Sequence, residues 1–169
     1  MNKNQKVSIV MGSDSDLPVL RSCIKLLEQF GVETEVMVCS AHRTPDKAAD
    51  FAKGAESRGI DVIIAAAGKA AHLAGVIAAN TPLPVIGIPI KSSTLDGLDS
   101  LLSTVQMPSG IPVATVAIDG GENAAILAVQ ILSTCNPKLR EEIKKYKLAL
   151  KEKVEEKNKN ILQKIKEFK

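Results

Sequence analysis

The sequence predicts an α/β fold, in which a parallel β-sheet is covered by helices on both faces. Five short apolar runs rich in β-branched residues alternate with helical patterns along the 169 residues. Apolar residues make up 45 % of the chain but aromatic residues only 2 %, so Val, Ile, Leu and Ala must build the core. The length is enough for a single domain with its own core.

The predicted strands share a run of apolar residues that ends in a polar or glycine-containing turn. They are residues 7–11, 32–39, 61–67, 84–90 and 113–118. The predicted helices share apolar residues at three- and four-residue spacing. They are residues 17–30, 45–58, a helix of small residues after His72 that ends near Asn80, 98–105 and 122–134. Ser15 or Asp16 is expected to cap the first helix, and Gly31 to end it.

The order of strands decides which turns meet. Crossovers between parallel strands are right-handed, which leaves few topologies. We expect the order 2-1-3-4-5, a flavodoxin-like three-layer sandwich with a five-stranded parallel sheet. The turns after the first three strands, residues 12–16, 40–45 and 68–72, then lie at adjacent strand ends. Ligands bind at such ends in open α/β sheets, so the sequence predicts a site there.

The second of these turns reads Ser40-Ala-His-Arg-Thr-Pro45. Its His42 is one of only two histidines in the chain, and histidine is the side chain whose charge changes near neutral pH. His42 is therefore a candidate acid/base, and Arg43 a candidate phosphate clamp. The alternative is a loop histidine bonded to the backbone beside a solvated arginine.

The first and third turns add polar and small residues. In the first turn, Ser13 and Ser15 place hydroxyls at a helix N-terminus, which favours phosphate, and Asp16 suits ribose hydroxyls. The alternative is that these side chains only cap the helix. The third turn, Gly68-Lys-Ala-Ala-His72, would let a flat substrate approach the backbone. Its lysine is either a carboxylate partner or solvated, and His72 either a second catalytic histidine or a partly buried structural one.

Composition and spacing exclude several other classes of site. The three cysteines are odd in number and share no short spacing, which predicts reduced thiols in a cytoplasmic protein rather than disulfides or zinc. The two histidines join no motif of metal ligands, so no metal is expected. The scarcity of aromatic residues argues against stacking on nucleic-acid bases. We expect no membrane contact, because no apolar run approaches the length of a membrane span and the N-terminus lacks a secretory signal.

The last segment, residues 137–169, is predicted as one long amphipathic helix that follows a catalytic region over residues 1–136 within the same domain. Its apolar stripe recurs at three-, four- and seven-residue spacing. The stripe consists of Leu139, Ile143, Tyr146, Leu150, Val154, Ile161, Ile165 and Phe168. A neighbouring subunit is expected to cover it, the alternative being a helix folded back over its own sheet. Residues 138–169 carry a net charge of +6 and the rest of the chain −3, which we interpret as a solvated helix face.

Four motifs together resemble those of one family. They are VMGSDSD at 10–16, SAHRTP at 40–45, AAHL at 70–73 and VQMPSGIPVATVAI at 105–118. In this order and spacing the chain resembles the N5-carboxyaminoimidazole ribonucleotide mutases of purine biosynthesis, also known as the catalytic subunit of phosphoribosylaminoimidazole carboxylase, from about residue 7 to 132. The resemblance implies a reversible move of a carboxylate from the exocyclic nitrogen to C4 of an imidazole nucleotide. It also implies no cofactor, and a homo-octamer whose C-terminal helices reach neighbouring subunits.

The resemblance assigns roles residue by residue. It implies that Ser13, Asp16 and Arg43 bind the nucleotide and that His42 is the acid/base. The third loop would line the imidazole and the carboxylate. The candidate catalytic residues are His42 and His72, and the candidate substrate-binding residues are Ser13, Ser15, Asp16, Ser40, Ala41, Arg43, Gly68, Lys69 and Leu73.

Three residues depart from the family pattern, and two other functions stay open. Lys69 stands where glycine is common, Ala74 where proline is common and Ser109 where arginine is frequent. A sister group carboxylates aminoimidazole ribonucleotide directly with carbon dioxide, and AAHL favours the mutase over it. A non-enzymatic nucleotide-binding module is the remaining alternative. The expected partners are the nucleotide, copies of the chain itself and, transiently, the synthetase that forms the carbamate.

Overall fold

The computed structural model describes residues 5–168, except for the side chains of Leu162 and Lys166. Residues 1–4 of the predicted catalytic region and residue 169 of the predicted C-terminal helix lie outside the described residues. Most of the N-terminal stretch that was predicted to lack a secretory signal lies outside them as well.

Five parallel strands and six helices alternate along the described chain. The strands are β1 (Lys6–Met11), β2 (Glu33–Val38), β3 (Val62–Gly68), β4 (Val85–Ile90) and β5 (Ala114–Thr115). The helices are α1 (Leu17–Gln29), α2 (Pro45–Lys53), α3 (Leu73–Ala78), α4 (Leu98–Val105), α5 (Gly121–Ser133) and α6 (Pro137–Glu167). The strand order is β2-β1-β3-β4-β5, all parallel. The predicted flavodoxin-like order and the long C-terminal helix are confirmed.

The two faces of the sheet are covered by different helices because side chains alternate along each strand. Val7 and Ile9 of β1 belong to a buried cluster formed with α1 and α5. Val10 of the same strand belongs to a second cluster with α2 and α3. Both clusters consist almost entirely of aliphatic side chains, with Phe51 the one aromatic ring among their fully buried members. None of the helices in the described part of the chain is long and apolar enough to cross a membrane.

Several elements are shorter than the sequence predicts, among them α2, α3 and β5. Helix α2 ends at Lys53, where Gly54 follows, and residues 56–58 form a separate 3-10 turn. Helix α3 has only six residues. Strand β5 pairs only at Ala114 and Thr115, because Pro89 on β4 accepts from the Asp119 N–H but has no N–H of its own to donate on that side.

The three cysteines are all free, as expected. Cys23 and Cys39 are buried and Cys135 is exposed. Burial raises the pKa of the Cys23 thiol to about 12, so this group stays protonated in the folded chain.

Helix α6 is partly covered by its own chain. Leu139 and Ile143 are buried in the cluster with α1 and α5, and the Tyr146 ring lies 5.8 Å from the Phe30 ring. The first turns therefore fold back on helices rather than on the sheet. From Leu150 onward the described stripe residues are exposed, so this part of the stripe has no cover from the residues that the structure describes.

Strand β4 approaches α4 at Gly87, where any Cβ would force neighbouring side chains to shift. A Cβ at Gly87 would lie 2.4 Å from Cγ2 of Thr104 and 2.9 Å from Cγ1 of Val113. The missing side chain lets α4 pack closely on the sheet, and α4 follows the loop that begins beside the site.

We expect Gly87→Ala to lower the free energy of unfolding by about 1–3 kcal/mol through overpacking. Gly12→Ala is the matched control, because its Cβ would meet its nearest neighbour at 3.7 Å. That variant should be as stable as the parent chain, to within about 0.5 kcal/mol. Urea and thermal unfolding measure both, and equal stabilities would contradict the packing argument.

Candidate functional site

A cavity of about 610 Å³ lies where β1, β2, β3 and β4 end. All eleven predicted site residues line it. The prediction that the three turns converge is therefore confirmed as geometry, while the role of each residue stays a prediction. Arg43, Lys69 and Lys91 bring positive charge to the cavity, and Asp16 brings a carboxylate.

The two histidines contact each other in this cavity. Nε2 of His42 lies 2.9 Å from Nδ1 of His72, and the ring planes cross at 70°. One ring must donate and the other accept, so the shared nitrogens hold a single proton between them. The alternative of a loop histidine bonded to the backbone is therefore wrong for His42.

The turn that carries His42 is closed by its own hydroxyls. The Thr44 hydroxyl donates to the Ser40 carbonyl at 2.9 Å and accepts from the Ser40 N–H at 3.1 Å. The Ser40 hydroxyl accepts from the Arg43 N–H at 3.2 Å. These bonds fix the backbone around His42 without help from the substrate.

Arg43 joins the second turn to the first. Its guanidinium donates to the Gly12 carbonyl at 3.4 Å, a long hydrogen bond that still leaves other N–H groups of the guanidinium for a ligand. The Arg43 side chain is exposed, so the alternative of a solvated arginine stays open. Arg43 lies on the cavity wall together with Ser13 and Asp16.

The first turn caps itself and lines the cavity at the same time. The Ser13 hydroxyl accepts from the Ser15 N–H at 3.3 Å, and the Asp16 carboxylate accepts from the Ser13 N–H at 3.3 Å. Asp16 occupies the N-cap position of α1 as predicted, but its side chain makes no capping bond to that helix; Ser13 instead caps the 3-10 turn at 14–16 that precedes α1. Ser13 and Asp16 thus make capping bonds in this turn, and both residues also line the cavity.

Asp16 is a carboxylate held at a cost in free energy. It is only 7 % exposed. Burial raises the pKa of its carboxyl, while hydrogen bonds from Ser13 and Ser15 lower it and the negative charges of Asp14 and Asp119 raise it. Asp16 therefore has two roles open to it, as the acceptor that closes the first turn and as an acceptor on the cavity wall.

Lys69 occupies a strained backbone position. Its φ is +56°, in the left-handed region that a residue with a Cβ rarely adopts. The residue is exposed at the cavity rim. Such conformations concentrate at functional sites, where the surrounding structure holds them.

The cavity also contains residues that the sequence did not single out. Ile90, Lys91 and Ser92, at the end of β4 and just after it, complete the lining. Lys91 and Ser92 begin the polar loop 91–97. The sequence did contain one indication that Lys91 belongs to the site, because this residue directly follows the fourth predicted strand.

The fold and the cavity define a class: a flavodoxin-like α/β protein with a histidine pair and basic groups at the carboxyl ends of its strands. Residues 6–153 match the family described as AIR carboxylase. The match spans most of the chain, and the chain belongs to that family.

Individual relatives agree with this assignment. The N5-carboxyaminoimidazole ribonucleotide mutase of Pyrococcus horikoshii is 61 % identical over 155 residues, covering 92 % of this chain and 88 % of the relative. The protein of the same name from Thermotoga maritima is 57 % identical over 152 residues, covering 90 % and 89 %. The crystal structure of Treponema denticola PurE matches with a TM-score of 0.83 and 29 % identity, covering 92 % of this chain and 98 % of that chain. The family expected from the four motifs is confirmed.

Replacing Asp16 by Asn should raise the melting temperature at neutral pH. The raised pKa of Asp16 means that the folded chain binds a proton at this group more readily than the unfolded chain does. The stability it contributes is therefore present at acid pH and is lost as the pH rises through the raised pKa. The gain from Asn should therefore shrink as the pH falls through the raised pKa and vanish below about pH 4, the ordinary value for aspartate.

Thermal unfolding of Asp16→Asn at neutral and acid pH measures this difference. Asp14→Asn is the control, because Asp14 is exposed and its replacement should change the melting temperature little at either pH. A less stable Asp16→Asn chain at neutral pH would show that the charge stabilises the fold instead.

Proposed function

We propose that the chain converts N5-carboxyaminoimidazole ribonucleotide reversibly into 4-carboxy-5-aminoimidazole ribonucleotide in purine biosynthesis. The observation that carries the proposal is the His42–His72 hydrogen bond of 2.9 Å inside a cavity lined by basic residues. The family and the names of the relatives support the same reaction. The reaction needs a group that transfers protons and a place that binds an anionic nucleotide. The histidine pair suits the first need and the basic residues of the cavity suit the second.

The reaction is an isomerisation in which one bond to the carboxylate is exchanged for another. The exocyclic N–C bond of the carbamate breaks, its electron pair returns to nitrogen, and carbon dioxide is released into the cavity. C4 of the electron-rich imidazole then attacks that carbon dioxide and forms the new C–C bond. The proton lost from C4 balances the proton gained by the exocyclic nitrogen, so nothing is consumed.

His42 is the proton carrier in this scheme. It protonates the departing nitrogen and accepts the proton from C4, and one imidazole serves both steps because they run in opposite directions. Nδ1 of His72 is hydrogen-bonded to Nε2 of His42, so a proton can pass from one ring to the other while both rings keep their positions. Such acid/base catalysis is typically worth about 10² to 10⁴ in rate.

The other cavity residues bind the substrate. Arg43 binds the phosphate, Ser13 and Ser15 add hydroxyls near it, and Asp16 accepts from the ribose hydroxyls. Lys69 faces the carboxylate that moves. The remaining substrate-binding residues shape the wall around the imidazole; they are Ser40, Ala41, Gly68 and Leu73.

His42→Asn tests the proposal directly. We expect turnover to fall about 10²- to 10⁴-fold while the nucleotide still binds, since Arg43 and the first turn are unchanged. His72→Asn should lose less, because His42 remains. Product formation is followed by ultraviolet absorbance and binding by calorimetry. Undiminished turnover in His42→Asn would leave a nucleotide-binding module as the better interpretation.

The carboxyl donor separates the mutase from a direct carboxylase. The N-carboxylated nucleotide is supplied in buffer stripped of bicarbonate, and the uncarboxylated nucleotide is supplied separately with abundant bicarbonate. Rapid product from the first alone supports the mutase. Efficient product from the second alone would assign the chain to the carboxylases.

We also propose that the chain works as a homo-oligomer, an octamer by resemblance to the family. Leu150, Val154, Ile161, Ile165 and Phe168 are 45–87 % exposed along α6. Helix α4 and the loop before it expose Leu95, Leu98, Leu102 and Val105 as well. Apolar patches of this extent are typical of interfaces, and a neighbouring subunit is the cover we propose for α6.

Ile161→Glu should weaken this assembly, because it places a charge in the apolar stripe. Gln163→Glu is the matched control: it adds the same acid two residues on, about 200° around the helix and away from the stripe. Light scattering should give a lower mass for Ile161→Glu, and for deletion of residues 151–169, than for the control. An unchanged mass in all three would show that the end of α6 does not contribute.

Two further predictions concern the surroundings of the protein. A cytoplasmic location follows from the free cysteines and from the biosynthetic role proposed here. A transient contact with the synthetase that forms the carbamate would shorten the path of an unstable substrate. Both stay predictions.

A further inference from the structure

The wall formed by Lys91 and Ser92 depends on a strained loop. Leu95 and Asp96 in this loop have φ of +56° and +51°, and Gly97 follows at +94°. Non-glycine residues pay a conformational cost in this region. The loop therefore needs contacts from elsewhere to hold Lys91 and Ser92 at the cavity.

Asp119 supplies such a contact from the other side of the loop. Its carboxylate accepts from the Lys91 N–H at 2.9 Å, and its own N–H donates to the Pro89 carbonyl at 2.9 Å. These two bonds bracket Ile90, the last residue of β4 and part of the cavity lining. The Asp119 carbonyl accepts from the Gly121 N–H at 2.9 Å, which ties the end of β4 to the start of α5.

Neighbouring contacts reinforce this arrangement. A Cβ at Gly97 would lie 2.9 Å from Cγ2 of Ile118 and 3.2 Å from Cα of Lys91, so the end of the loop packs both on its first residue and on the residue that precedes Asp119. Ser92 is held separately, because its hydroxyl donates to the Asp99 carboxylate at 3.0 Å. Asp119 has φ of +56°, a conformation that Asp and Asn adopt more readily than other residues with a Cβ.

We propose that Asp119 is a positioning residue for substrate binding, which holds the Lys91–Ser92 wall against the nucleotide through the Lys91 N–H. The inference rests on the proposed function. Asp119 itself does not line the cavity and touches no reacting atom. The Lys91 ammonium, which lies 3.2 Å from the Asp96 carboxylate of the same loop, brings positive charge to the wall that faces the anionic nucleotide, while the His42–His72 pair carries the proton. Contacts that are equal in ground and transition states change KM and leave kcat alone.

Three substitutions at Asp119 separate positioning from mere folding. Asp119→Ala removes the acceptor and should raise KM about three- to tenfold, the loss of one hydrogen bond, with kcat within about twofold. Asp119→Gly also removes the acceptor but relieves the left-handed strain, so it should unfold at a higher temperature than Asp119→Ala and show the same rise in KM. Asp119→Asn keeps an acceptor oxygen and should restore KM to nearly the parent value.

Steady-state kinetics with the N-carboxylated nucleotide and thermal unfolding are measured on the full chain and the three variants. The inference is overturned if KM follows the melting temperature rather than the acceptor, or if Asp119→Ala leaves KM unchanged. A full chain without turnover contradicts the proposed function instead. In that case, calorimetry with aminoimidazole ribonucleotide still decides the inference, since Asp119→Ala should bind it more weakly than Asp119→Asn does.

Discussion

The pairing of β1 with β3 is the constraint on which the rest of the structure depends. The register runs from Val7 opposite Val62 to Met11 opposite Ala66, and the Gly12 N–H continues it by donating to the Ala66 carbonyl. This pairing places the turn after β1 beside the turn after β3. Because β2 pairs on the other side of β1, the turn with His42 meets both. The contact between His42 and His72 follows from that order.

The turns of the site satisfy many of their own polar groups, so their backbone is held before a ligand binds. Hydroxyls close the turn around His42, and a capping pair closes the turn before α1. This leaves the imidazoles and the Arg43 guanidinium to face a ligand. Asp16 is the exception, since its burial disfavours its charge. The buried charge of Asp16 therefore lowers the stability of the folded chain, a loss that is common where a site must recognise a polar ligand.

Much of the fold and the site could be predicted because local pattern and topology agree. The helix 98–105 was predicted with the bounds it has, and the strand order followed from alternation and crossover handedness. The brevity of β5 could not be predicted, because it depends on which side of β4 the missing N–H of Pro89 faces. The contact between two histidines thirty residues apart depends on side-chain geometry that spacing does not contain. The role inferred for Asp119 depends likewise on backbone bonds between distant segments.

The placement of the cavity has a consequence for how the molecule folds. The central ladder joins residues 55 positions apart in sequence, so its formation requires closure of a long loop before the contacts form. The three turns come together only when that closure is complete. A partly folded chain therefore has no binding site, and any ligand of the cavity selects the fully native molecule. A ligand present at a hundred times its Kd would then protect the whole domain from unfolding by about 2.7 kcal/mol.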